Sequence, residues 1–216
     1  MNPRIVVFDL DDTLVDSSVH VLSGFQFALE PYGFKVTAED IERMRSCTSE
    51  QLFRDVLPEV DAKCALQRLW AHSQECASRI SLIPGVRDLL CQLRRDSRFH
   101  LAIWTGRDRL STLEILKAHG LIQLFDVIAS GSCVRQNKPA PDGLHLISHE
   151  FGVSPSFMVH IGDHEHDILG AKSVGAFAVH ARWGGSQHSK RKLEGADLAF
   201  DTVPDLRLLL EQICGI

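Results

Sequence analysis

Residues 5–18 read IVVFDLDDTLVDSS: a short apolar run, then four carboxylates, Asp9, Asp11, Asp12 and Asp16, crowded into eight residues. A continuous β-branched and aromatic run of this length predicts a strand buried on both faces, as in a parallel sheet. The carboxylates begin where that strand ends. Like charges this close raise one another's pKa unless a cation or a set of donors offsets the repulsion. The rest of the chain therefore has to supply both the sheet around this strand and the partner for its charge.

Working outward, IVVF (5–8) has five further counterparts: LAIW (101–104), DVIA (126–129), FMVHI (157–161), AFAVH (176–180) and LAF (198–200). Helical patterns fall between most of them, over 86–96, 108–119, 142–151, 165–174 and 204–213, with Gly120 and Gly152 placed to cap helix C-termini. Strand and helix in alternation predict an α/β fold with a doubly wound, mostly parallel, Rossmann-like sheet. One interval breaks the alternation. About ninety residues separate the first two strands, far more than a crossover helix needs.

That interval carries helical signals of its own. Val21, Phe25, Ala28, Leu29 and Tyr32 share one helical face, as do Leu66, Leu69, Trp70, Cys76, Ala77 and Ile80. Thr37 with Asp40, and Thr48 with Gln51, have the spacing of helix-starting capping boxes. We expect a small α-helical subdomain over 17–80, with 1–16 and 81–216 forming the α/β catalytic core, and Phe25, Phe53 and Trp70 filling its interior.

Composition bounds the rest. The 216 residues are 44% hydrophobic and 24% charged, an ordinary globular balance able to bury a full core. A formal charge of -5 excludes a broad basic face for nucleic acid; Arg182, Lys190, Arg191 and Lys192 form only a local, solvated cluster. Six cysteines (47, 64, 76, 91, 133, 214) show neither C-x-x-C pairs nor a disulfide framework, and are expected as free thiols in a reducing compartment. Met1 leads into a strand with no leader pattern, and no apolar stretch is long enough to cross a bilayer. The expectation is a cytoplasmic protein, a monomer or homodimer, with no membrane or nucleic-acid partner.

The polar residues that interrupt the pattern sit at strand ends: Asp9 and Asp11, Thr105 and Gly106, Ser130, Gly162 and Asp163. In a parallel sheet these ends share one edge, where open α/β folds bind ligands. Asp163 and Asp167 would face Asp9 and Asp11 there, a set of hard oxygen ligands without paired Cys or His that suits Mg²⁺. A divalent ion would offset the acidic crowding.

DLDDTLVDS (9–17), WTG (104–106), NKPAPDG (137–143) and GDHEHD (162–167), followed by GAKSVGAFAV (170–179) and RWG (182–184), together resemble the motifs of haloacid dehalogenase-like hydrolases, specifically phosphatases of the phosphoglycolate phosphatase-like subgroup. Members of that subgroup carry a helical cap after the first motif. The resemblance implies a Mg²⁺-dependent phosphatase acting on a small phosphorylated metabolite through an aspartyl-phosphate on Asp9, with Asp11 as general acid and base. It implies that Thr105 and the Gly106 amide bind the transferring oxygens and that Lys138 balances charge. It also implies a metal site of Asp9, the Asp11 carbonyl and Asp163, with Asp167 behind them. The cap departs from its relatives: MRSCTSEQLF (44–53) has Ser46 near a glycine's place, and of the cations Arg43 and Arg45 the latter, just before the loop, is expected either to meet the substrate's far end or to stand as a solvated helix-end arginine beside Glu42 or Glu50.

Blander readings stand beside these. Asp12 is expected only to cap the turn, and Asp16 to start the first cap helix. His164 and His166 flank the metal site but are poor Mg²⁺ ligands. His20 faces either the cleft or a hinge. Among rival activities, a dehalogenase lacks the second aspartate that Asp11 supplies, a receiver domain lacks the cap and GDHEHD, and a phosphomutase would share every motif and stays open.

Overall fold

A computed structural model describes residues 4–37, 40, 47–184, 193–204, 208 and 209. Six strands build the sheet: β1 (Arg4–Phe8), β4 (Phe99–Trp104), β5 (Val127–Ala129), β6 (Met158–Gly162), β7 (Phe177–Ala181) and β8 (Leu198–Phe200). Their order is β5-β4-β1-β6-β7-β8 and every pairing is parallel. The first strand is central because Ile5, Val7 and Phe8 are apolar on both faces and fully enclosed. The order reverses beside it, between β4 and β6, which opens a crevice at the carboxyl ends of those strands.

Helices cover both faces: α4 (Val86–Arg95), α5 (Arg109–Ala118), α6 (Asp142–Phe151) and α7 (Glu165–Ser173). One core, with Phe8, Leu90, Leu101, Ile103 and Ile115, lies on the face under α4 and α5. The other, with Val7, Trp104, Leu144 and Ile168, lies under α6 and α7. Of the helix expected over 204–213, Leu208 and Leu209 are helical, and the remainder beyond Pro204 lies outside the described residues.

The long interval holds α1 (Ser18–Leu29), α2 (Ser49–Val56) and α3 (Glu59–Cys76). Phe25, Phe53 and Leu69 close a third, separate core there, with Val21, Tyr32 and Trp70 packed at its margin. The Thr48 hydroxyl accepts from the Gln51 amide and caps α2 as its spacing predicts. Thr37 and Asp40 form the reciprocal bonds of a capping box. Arg43, Arg45 and Ser46, like Lys190, Arg191, Lys192 and Cys214, lie outside the described residues.

Two short strands, missed by the sequence reading, flank this insertion. β2 (Val15–Asp16) pairs antiparallel with β3 (Ser81–Leu82), so the chain leaves and re-enters the sheet domain through one two-stranded ribbon. Asp16 therefore lies in a strand and does not start α1, which corrects the sequence expectation. The carboxylate that serves the start of α1 is Asp12, whose oxygens accept from the Ser17 amide at 3.2 Å and from the Ser18 hydroxyl. Asp12 has φ 55, a left-handed conformation that Asp tolerates better than most residues. No helix among the described residues is long and apolar enough to cross a membrane. Cys64, Cys76, Cys91 and Cys133 are free thiols.

Candidate active site

The crevice collects side chains from four segments. Asp9 follows β1 and is anchored by its own amide, which donates to the Ile161 carbonyl at 2.9 Å. Thr105 follows β4 and is tied to β5 through the Ala129 carbonyl at 3.0 Å. Lys138 arrives on the loop before α6, and Asp163 and Asp167 flank the start of α7. Asp9, Thr105, Lys138, Asp163 and Asp167 are all buried, so the cluster is dry and its charges interact strongly.

Lys138 sits at its centre. Its Nζ donates to Asp9 Oδ1 at 2.6 Å and to Asp167 Oδ1 at 2.5 Å, and lies 4.8 Å above the Trp104 ring. Burial alone would lower its pKa, but Asp167 and Asp9 outweigh that and raise it, keeping the ammonium charged. Asp167 is bound on both oxygens. Besides Lys138, His160 Nε2 lies 2.9 Å from Oδ1, and the His164 amide donates to Oδ2 at 3.0 Å. Burial pushes its pKa up, yet Lys138 and His160 more than reverse this and hold the carboxyl well below the usual range. Gly162 makes the approach possible: a Cβ there would lie 2.2 Å from the Asp167 carboxyl carbon.

Asp9 is perturbed the other way. Burial is the largest cause, the Asp167 and Asp11 charges add to it, and Lys138 offsets only part, so its pKa is pushed up to about 7. Asp9, Asp163 and Asp167 place carboxylate oxygens within 4.8 Å of one another. Three carboxylates against the single ammonium of Lys138 leave a deficit of positive charge in a dry site, and the donors are all hard oxygens. These residues fit a divalent cation such as Mg²⁺ or Mn²⁺. Asp167 already has both oxygens hydrogen-bonded, to Lys138, His160 and the His164 amide, which limits its share in holding such a cation.

The remaining sequence candidates are placed as follows. Asp11, at the rim, accepts from Arg107 Nε at 3.1 Å, from Arg107 Nη2 at 2.6 Å and from the Ser17 hydroxyl at 2.5 Å. Gly106 lies between Thr105 and Arg107, with open space where a Cβ would stand. His164 is buried and turned to its own helix, its Nδ1 accepting from the His166 amide at 3.2 Å. His166 stacks edge-on against it at 4.5 Å. His20 is half-buried on α1, close enough to α3 for its charge to lower the pKa of His72, which burial lowers first. Arg45 lies outside the described residues.

Two residues of this network escaped the sequence reading. His160 is a fully buried polar residue in an apolar strand, the one signal that could have singled it out. Burial holds its pKa down, against the opposing pull of two acceptors, the Asp167 carboxylate at Nε2 and the Val7 carbonyl 3.2 Å from Nδ1. Arg107 directly follows WTG, and its guanidinium is pulled onto Asp11.

Comparison with known proteins defines the class. The model of haloacid dehalogenase-like hydrolases matches residues 6–181, and the chain belongs to that family. It is 29% identical to a phosphoglycolate phosphatase from Synechococcus elongatus over 97% of this chain and 98% of that protein. It is 28% identical to the pyrophosphatase PpaX of Bacillus pumilus, covering 94% of this chain and 90% of that one. In fold it resembles a hydrolase from Pseudomonas syringae, with a TM-score of 0.81 at 23% identity over 97% and 99% of the two chains.

Proposed function

We propose that this protein is a phosphatase that hydrolyses a small phosphomonoester through an aspartyl-phosphate on Asp9. The observation that carries this reading is the Asp9–Lys138–Asp167 chain of ion pairs, buried at one sheet edge beside Asp163, with Asp11 at the rim. Asp9 Oδ1 is held by Lys138, which leaves Oδ2 to attack phosphorus. Lys138 then balances the charge gathered on the transferring oxygens, and the Thr105 hydroxyl and Gly106 amide orient them. Asp11 protonates the leaving oxygen and takes a proton from the water that releases phosphate. His160 and the His164 amide keep Asp167, and through it Lys138, in register.

A divalent cation, held by Asp9, Asp163 and the Asp11 carbonyl, would neutralise the crowded carboxylates and polarise the phosphoryl group. Residues 1–16 and 81–216 form the catalytic core in this reading, and 17–80 the cap that closes over the substrate. A cytoplasmic metabolite is the substrate, with the chain acting as monomer or homodimer. The test is a phosphate-release screen over phosphoglycolate, sugar phosphates, nucleotides and pyrophosphate. Release that depends on added Mg²⁺ and disappears on chelation supports the reading. Activity that survives exhaustive chelation contradicts the metal role, and transfer of the phosphoryl group within the substrate without release points to a mutase.

A further inference from the structure

Arg107 has no part in the proposed chemistry, yet its guanidinium stands at the reaction centre. Its side chain is only 12% exposed, and it grips Asp11 with two parallel bonds, Nε to Oδ2 and Nη2 to Oδ1. Ser17 adds a third bond to Oδ1. The backbone holds it in place: the Gly131 amide donates to the Arg107 carbonyl at 2.8 Å, and the Arg107 amide donates to the Thr105 hydroxyl at 3.2 Å. Burial would lower its pKa, but Asp11 first, then Asp108 and Asp9, hold it charged. The result is a fixed two-pronged oxyanion receptor, one residue from the phosphate-binding Gly106, filled by one of the protein's own carboxylates.

That occupancy conflicts with catalysis. To serve the leaving oxygen, Asp11 must turn at least one carboxylate oxygen away from the fork. A buried guanidinium that loses part of this two-pronged grip is left short of acceptors, with Asp108 and Asp9 only nearby charges, which is costly unless another anion takes the place. We propose that Arg107 is a specificity residue that binds a second oxyanion on the substrate, a carboxylate or phosphate near the ester oxygen, and that this anion displaces Asp11 from the fork and frees it for the leaving group. This rests on the assignment of Asp11 above and narrows the substrate to phosphomonoesters bearing a second negative group. A neutral ester can react only by breaking the Arg107–Asp11 pair without replacement.

The test compares matched pairs: phosphoglycolate with its carboxyl methyl ester, and ethylene glycol bisphosphate with its monophosphate. The full-length enzyme should favour the anionic member of at least one pair by about 10- to 100-fold in kcat/KM, the range expected for a charge-assisted bond. The pair that shows the preference tells carboxylate from phosphate. Arg107→Ala should collapse that ratio towards one, and Arg107→Lys should keep only part of it, since an ammonium restores charge without the fork. Equal losses on both members, with the ratio kept, would overturn the proposal and place Arg107 on the transferring phosphoryl group or in the fold. A wild-type ratio near one would overturn it as well. Should Arg107→Ala fail to fold by circular dichroism, an unchanged ratio in Arg107→Lys is the refuting result. Asp9→Asn separates the two levels: activity retained in that variant would sink the aspartyl-phosphate reading itself, whatever Arg107 does.

Discussion

Asp9 is placed where it is least comfortable. Its ordinary pKa of 3.8 rises to about 7, so between those values the unfolded chain carries it ionised while the native chain holds its proton. Its stabilising contribution is therefore complete below about 3.8 and is lost as pH rises through about 7. Asp9→Asn keeps the shape and removes the titration. In metal-free buffer, the variant should gain little at pH 4 and melt about 5 °C or more above wild type at pH 8, a difference read by thermal unfolding across pH. An advantage that is the same at both pH values, or reversed, would mean that burial does not strain this carboxylate. At this scale the strand-end logic singled out Asp9, Thr105 and Asp163, and Asp167 with them, because a polar residue after a buried apolar run is conspicuous, whereas Lys138, on a loop, entered only through the family resemblance. It missed His160 because its partner, seven residues on, is reached only after α7 folds back over β6. It missed Arg107 because an arginine after a glycine looks like any solvated loop residue.

The elements are positioned by close contacts that leave no room for side chains. Trp104, at the end of β4, is wedged between α6 and α7: a Cβ on Gly143 would lie 2.1 Å from the indole Cδ1, and one on Gly170 2.3 Å from Cη2. The same indole contacts Lys138 and the His160 ring, the latter at 4.8 Å. Gly143→Ala should therefore cost about 1–3 kcal/mol in urea unfolding and disturb Lys138 as the indole shifts. A variant as stable as wild type would show that α6 can move freely off the sheet. The six sheet strands were legible because their apolar runs are continuous, and the helices between them because their periodicity is regular. β2 and β3 were not, since two residues carry no period; their pairing exists because both ends of the insertion must pass one place. Asp16 was misread for the same reason, the helix beginning two residues later with Asp12 folded back to serve it.

At the scale of the whole molecule, the candidate site lies where the strand order reverses, and the inserted helices have a core of their own. In the proposed reading, a cap with a core of its own can move without disturbing the buried carboxylates of the site. The central claim is that Asp9 becomes covalently phosphorylated during turnover. It is tested most directly by mixing the enzyme with Mg²⁺ and its best substrate, quenching in acid on the millisecond scale, and mapping the peptides by mass spectrometry. The account predicts a transient mass gain of one phosphoryl group on the peptide carrying Asp9, formed before phosphate is released and absent in Asp9→Asn. Turnover with no phosphorylated peptide at any quench time, or with the group on another residue, would contradict it.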